Sequence, residues 1–427
     1  MIKSRPWLIC LLLLALVAVG CANGSATEAP RDRPLNAASS GTDGRPEGNV
    51  VQQPLLDVVE PEANPETEKP DLAGQPSTET RKPDEAPQTK AHAVLPEKKR
   101  RVDIKGVYVS PHALHGKRWK KIEKLLRDTE LNALVIDAKS DYGRLTYPSK
   151  IAAAKEIDAD SEAKIGDLAS YLNPLKKNNT YLIARIVTFK DPYLAAKKPE
   201  WAMKRKDGSV WRDKRGVSWV DPYNEEVWEY NIEIVEEAIA AGFDEVQFDY
   251  VRFPEQVGAV DREVVFRNPG NETKDQIIQR FLRTATRRVH EAGGFTSADV
   301  FGLTTTAKDG MGIGQKWELL AQEVDAISPM VYPSHYAKGS YGVQHPDLKP
   351  YKIVKEAIAD AKSRNEALTR NQEHAAALRP WLQDFTAKWV KPHRTYRQAE
   401  VREQIQALKE LGIRQYLLWN PSSDYSF

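Results

Sequence analysis

The chain reads as a single closed (β/α)8 barrel, an α/β fold, behind a signal peptide and a polar tether. Three observations predict this. Short β-branched or aromatic runs alternate with helix-like stretches from Val102 to Phe427. That segment suits one barrel with insertions, the bare fold taking about 250 residues. No Gly-rich phosphate fingerprint follows the first run, which leaves a doubly wound open sheet as the runner-up.

Residues 1–20 have the layout of a secretory signal. Lys3 and Arg5 precede an apolar run from Trp7 to Val19, and Gly20 stands before Cys21. The run is too short for a membrane-spanning helix, which takes roughly 20 residues. "AVGC" resembles a bacterial lipoprotein box, with Ala18 where Leu is more usual. The expectation is acylation of Cys21 and a lipoprotein anchored in the cell envelope, outside the cytoplasm. The chain has two cysteines, Cys10 and Cys21. Cleavage before Cys21 leaves one, so no intramolecular disulfide can form. Lipidation gives that thiol a role, each buried methylene contributing about 0.8 kcal/mol.

Residues 21–101 are the tether. From Ala22 to Arg101 there is no Phe, Trp or Tyr, and Pro, Glu, Asp, Ser and Thr dominate. Such a segment buries too little apolar area to offset ordering entropy, and its prolines keep it extended. "EKKRR" closes it, as solvated charge. Lys and Arg total 62 against 60 Asp and Glu, so nothing points to nucleic acid.

Residues 102–427 form the barrel. Strands are expected at Lys105–Ser110, Ala133–Lys139, Tyr181–Phe189, Glu245–Phe253, Thr296–Leu303, Ala326–Tyr332, Arg379–Phe385 and Gln415–Asn420. Between them, "RWKKIEKLLRDTE", "NEEVWEYNIEIVEEAIAAG", "DQIIQRFLRTATRRVHEAG" and "QAEVREQIQALKELG" space apolar residues three and four apart. Three of these end at or near Gly, as helix C-caps do. Only "PSSDYSF" follows the last strand, so an eighth helix is expected to be missing or replaced.

Barrel chemistry sits at the C-terminal ends of the strands. The second strand supplies Asp137 and Lys139, two apart and expected on one face. The third supplies Arg185, which an Asp would equally well hold in a buried ion pair. The fourth supplies Asp249, then Arg252; the fifth, Asp299; the sixth, Tyr332 and His335. The seventh offers Gln383 and Asp384, on opposite faces, and the eighth Trp419 and Asn420. The long segment Lys190–Pro222 holds Trp201, Trp211 and Trp219, and at least one is expected to line a cleft, as loops of this length are uncommon without a function. His112 and His115 read as surface loop, and no metal or cofactor motif occurs. There is no GxSxG elbow. What recurs is Asp at strand ends. Glycosidic-bond cleavage needs two carboxyl groups in different protonation states, one to donate a proton and one to attack or to activate water.

"GFDEVQFDYVRFP", "ALVIDAKSDYGRLTYPS", "WVDPYNEEVWEYN", "SADVFGLTT", "ISPMVYPSHY", "RPWLQDFTA" and "YLLWNP" together resemble a bacterial family of glycoside-hydrolase-type barrel domains. The resemblance covers nearly all of Val102 to Ser423 and does not reach the tether. It implies a distant relation to retaining glycosidases of the alpha-amylase and alpha-galactosidase kind, where an Asp ending the fourth strand is the nucleophile. Asp249 takes that place. The acid/base of alpha-amylase relatives is a Glu ending the fifth strand. Here Asp299 stands near that position, with Asp137 as the rival acid.

The expectation is therefore a lipid-anchored glycoside hydrolase of an envelope or extracellular polysaccharide. Asp249, Asp299 and Asp137 would be catalytic. Lys139, Arg185, Arg252, Tyr332, Gln383, Trp419 and Trp219 would contact substrate, with Lys139 or Arg252 holding a carboxylate ionised or gripping an acidic sugar. A non-catalytic glycan-binding or structural cell-surface barrel is the alternative.

Overall fold

The computed structural model describes residues 103–426. The signal segment, Cys21 and the tether lie outside the described residues.

Eight parallel strands close into a barrel. They are β1 (Lys105–Val109), β2 (Ala133–Lys139), β3 (Tyr181–Val187), β4 (Glu245–Asp249), β5 (Phe295–Phe301), β6 (Ala326–Met330), β7 in two pieces (Ala377–Leu378 and Trp381–Gln383) and β8 (Tyr416–Trp419). Each pairs with its neighbours in sequence order, and β8 pairs with β1 through Lys105↔Tyr416 and Gly106↔Leu417. Gly106 permits this closure. A Cβ there would lie 2.8 Å from a Leu417 methyl and 3.2 Å from the Ala133 Cβ.

Two strands differ from expectation in an informative way. β7 is split at Arg379–Pro380, where proline offers no N–H to the ladder. Its Pro380 carbonyl still accepts from Leu417 N, at 2.9 Å. β4 ends at Asp249 rather than running on to Phe253. The next residue, Tyr250, has φ +49° and turns the chain away from the barrel.

The expected helices surround the sheet. They are α1 (Gly116–Asp128), α2 (Leu168–Lys177), α3 (Glu225–Ala241), α4 (Lys274–Glu291), α5 (Trp317–Ala321), α6 (Pro350–Arg370) and α7 (Gln398–Glu410). The caps are those the sequence spells out. Asn224 accepts from Glu226 N ahead of α3, which ends at Gly242 with φ +123°. Thr273 and Gln276 make a capping box on α4. Where a helix would follow β8, the segment from Asn420 is tied to β1 instead. Ser423 Oγ accepts from Ser110 N at 2.9 Å, and Tyr425 donates to the Tyr108 carbonyl at 2.5 Å.

The apolar residues divide into two clusters. The larger fills the layer between strands and helices. The smaller, including Tyr108, Ala133, Val135, Ile183, Tyr332, Trp381 and Leu417, fills the barrel interior. This interior set follows the period-2 alternation of the strands.

Candidate active site

Strand alternation decides what faces the mouth. On β4, Glu245, Gln247 and Asp249 share the inner face; on β3, Arg185 does so with Ile183; on β5, Asp299 does so with Ser297. At the base, Arg379 pairs with Glu245 at 2.6 Å, while Tyr181 and Ser297 donate to the same carboxylate at 3.0 and 2.5 Å. In the middle, Gln247 donates to Ser328 Oγ at 3.2 Å. At the top the carboxylates gather.

Arg185 is their hub. Its Nε and Nη2 donate to Asp249 Oδ2 at 2.9 and 2.6 Å, and Nη1 donates to Asp137 Oδ1 at 2.8 Å. Nη2 also reaches Asp141, on the loop after β2, at 3.2 Å. Asp249 gains a third donor from Tyr250 N, 2.6 Å from Oδ1. Tyr250 itself has a left-handed φ, and strained backbone of this kind clusters at active sites. The other oxygen of Asp137 accepts from Tyr108 OH at 2.7 Å. Burial pushes the Asp137 carboxyl up to about 6, against the pull of Arg185.

Asp299 is different. Trp381 Nε1 donates to its Oδ1 at 2.7 Å, and among the described residues no cation binds it. Burial, with the negative charge of Asp249 next in importance, pushes its carboxyl well above the usual range. The two carboxyls thus stand in unequal surroundings, Asp249 against a guanidinium and Asp299 against an indole N–H.

Aromatic side chains line the rest. Trp419 is half-buried and stacks on Tyr108 with ring centroids 4.3 Å apart and planes at 26°. It also meets the Trp381 ring edge-on. Tyr332 is buried beside the cluster, and its hydroxyl is raised by burial and then by the charges of Asp299 and Asp249.

Other expected site residues stand elsewhere. Lys139 does not share a face with Asp137. The β2 register slips between them, so that Asp137 pairs with Arg185 and Lys139 with Ile186. This bulge turns Lys139 into the helix layer, where it is fully buried against Asp191 at 2.6 Å and Asn231 at 2.8 Å. Arg252 is also spent: it pairs with Glu255 at 2.8 Å and lies 4.4 Å from the Phe301 ring centre. Gln383 is fully buried, accepting from Ser334 N and donating to Asp347 and the Phe385 carbonyl. Asp384, whose direction the sequence left open, accepts from Ser426 N and Oγ. Trp211 and Trp219 are buried, donating to Glu263 and Asp213, and Trp201 is half-buried against Tyr230. The cleft-lining expectation therefore does not hold for Trp211 and Trp219, because their indoles hold this hairpin-like loop together. Asp141, Tyr108 and Trp381 were missed. Tyr108 and Trp381 carried a usable signal, since both lie on the inward parity of their strands.

An inward carboxylate layer thus lies at the C-terminal mouth of the (β/α)8 barrel, where such folds place their chemistry. Residues 106–425 match the family described as "Putative glycosyl hydrolase domain", and the chain belongs to that family. A hypothetical protein from Ruminiclostridium thermocellum is 37% identical over 48% of this chain and 98% of its own, with a TM-score of 0.41. The PgaB (BpsB) glycoside hydrolase domain from Bordetella bronchiseptica is 13% identical over 75% of this chain and 94% of its own, with a TM-score of 0.50. A beta-galactosidase from the haloarchaeon Halorubrum lacusprofundi is 12% identical over 74% of this chain and 52% of its own, also at 0.50. The likeness to these last two is one of fold. No curated protein matches the chain.

Proposed function

We propose that this protein hydrolyses an envelope or extracellular polysaccharide, with Asp249 as nucleophile and Asp299 as proton donor. The observation that carries this reading is the contrast between the two carboxyls at one mouth. Asp249 receives three donors, two of them from a cation, whereas Asp299 accepts from Trp381 without a cation and burial raises its carboxyl. Asp299 would give its proton to the glycosidic oxygen as the C–O bond breaks. Asp249 would attack the anomeric carbon, forming a glycosyl ester. Water, losing its proton to the Asp299 carboxylate, would then release the sugar and free Asp249. Asp137 fits the donor role less well, because both its oxygens already accept hydrogen bonds, from Arg185 and Tyr108. Trp419 and Tyr332 supply apolar surface for a sugar ring. Acylation of Cys21 would hold the barrel at the membrane outside the cytoplasm.

The second reading, a non-catalytic glycan-binding or structural barrel, draws on the Arg185 clamp, since a buried ion-pair network is also a structural device. One experiment separates the two. Release of reducing ends from a panel of extracellular polysaccharides is measured for the native chain and for Asp249→Asn. Hydrolysis that falls by more than about 10³-fold in a variant that still folds supports the enzyme. Glycan binding without any product, or turnover undiminished in Asp249→Asn, sinks it.

A further inference from the structure

The mouth is short of cations that a substrate can use. Lys139 and Arg252 are buried in pairs of their own, and Arg185 is shared among three Asp residues. Lys190, half-buried against Tyr250, is the other cation near the mouth. One rim of the mouth has the opposite character.

The loop after β7 reads "FTAKWVKPHRTYR", Phe385 to Arg397, with no Asp or Glu. Trp389 at its tip is 61% exposed. Exposing an indole costs apolar hydration that folding does not explain. Trp389 is also held in place. Its ring lies nearly parallel to Phe385, at 17° and 6.2 Å, and edge-on to His335 at 6.4 Å. Phe385 in turn meets Tyr332 at 5.7 Å, and Tyr332 feels the charges of Asp299 and Asp249. An aromatic wall thus runs from the carboxylates out to solvent. Beside Trp389, Lys388 and Lys391 are exposed, and among the described residues neither makes an ion pair. By contrast Arg394 of the same loop is bound to Glu400 and Glu403.

We propose that Tyr332, His335, Phe385 and Trp389, with Lys388 and Lys391, form an outer subsite for an anionic glycan chain. The acidic group, a carboxylate or a phosphate, sits at the rim on the two lysines, and a sugar ring stacks on Trp389. A neutral sugar occupies the mouth, because a second negative charge beside Asp249 would be repelled. This assignment rests on the glycoside hydrolase reading for its substrate, but its test does not depend on turnover.

The full chain is titrated with polygalacturonate, dextran phosphate and neutral dextran of matched length, in low and high salt. Either anionic polymer should bind more tightly than dextran, and added salt should erase the preference. Binding to polygalacturonate alone assigns a carboxylate site, and binding to dextran phosphate alone a phosphate site. Trp389→Ala should weaken binding of the anionic polymer by on the order of tenfold. The double substitution Lys388→Gln with Lys391→Gln should abolish the preference for charge while leaving weak stacking. The proposal is overturned if dextran binds as well as the anionic polymers, if none binds, or if Trp389→Ala changes nothing. Binding that obeys these rules in a chain that cleaves no glycan would keep the subsite and remove the hydrolase.

Discussion

The barrel interior holds two buried charge clusters, one near its base and one at its mouth. At the base, a single carboxylate, Glu245, meets a single guanidinium, Arg379, and Tyr181 and Ser297 complete its hydrogen bonds. At the mouth, Asp137, Asp141 and Asp249 share one guanidinium, Arg185, and Asp299 stands beside them with no cation. The base is balanced and closed. The mouth has more carboxyl groups than positive charges, and like charges buried together cannot all ionise. Burial and the charge of Asp249 raise the Asp299 carboxyl, which has no cation beside it to offset them. Burial alone does not mark the reactive cluster; imbalance does.

The sharpest way to break this comparison is Asp299→Asn. Loss of the retained proton should reduce kcat by about 10²- to 10⁴-fold, the usual contribution of a general acid. In the native chain the alkaline limb of the rate profile should lie well above the ordinary carboxylate range, since burial and Asp249 raise Asp299. A variant within tenfold of native activity would move the acid role to Asp137.

Next is Glu245→Gln at the base. It leaves Arg379 buried without a counter-charge and should cost about 3–5 kcal/mol of stability in urea. The folded fraction should keep its kcat. A large loss of kcat at unchanged stability would erase the distinction between the two clusters.

A smaller effect is expected at Asp384, which burial raises to about 6 although Ser426 donates to it. The unfolded carboxyl titrates near about 3.9. The folded chain thus binds the extra proton between roughly pH 4 and 6. The group's stabilising share is complete below pH 4 and is lost as pH rises through 6. Asp384→Asn should shrink the fall in stability between pH 4 and 7 by about 2–3 kcal/mol, read from urea midpoints at both values. An unchanged pH slope would mean that Asp384 is ionised in the fold.

The smallest is Tyr108→Phe, which removes one donor from Asp137 and keeps the stack on Trp419. About 0.5–1.5 kcal/mol of stability should be lost. A loss no larger than the error of the urea midpoint would mean that Arg185 alone holds Asp137.

The sequence by itself determined the barrel, because alternating strands and capped helices are local patterns with a fixed period. It also marked Asp137, Arg185, Asp249 and Asp299, since inward parity near a strand end is readable from spacing. Tyr108 and Trp381 obeyed the same rule and were legible in principle. Tertiary structure alone decided the rest. The β2 bulge shifts register by one residue and sends Lys139 outward, and nothing local in "ALVIDAKS" announces it. Gln383 found its partners, Ser334 and Asp347, in distant segments, which spacing along the chain cannot reveal. Nothing in the sequence singled out Trp389, which the fold leaves exposed beside Lys388 and Lys391. Above all, two aspartates came to stand in different surroundings, one clamped by Arg185 and the other meeting the Trp381 indole. Protonation depends on the donors and charges that folding brings within a few ångströms, and these are tertiary facts.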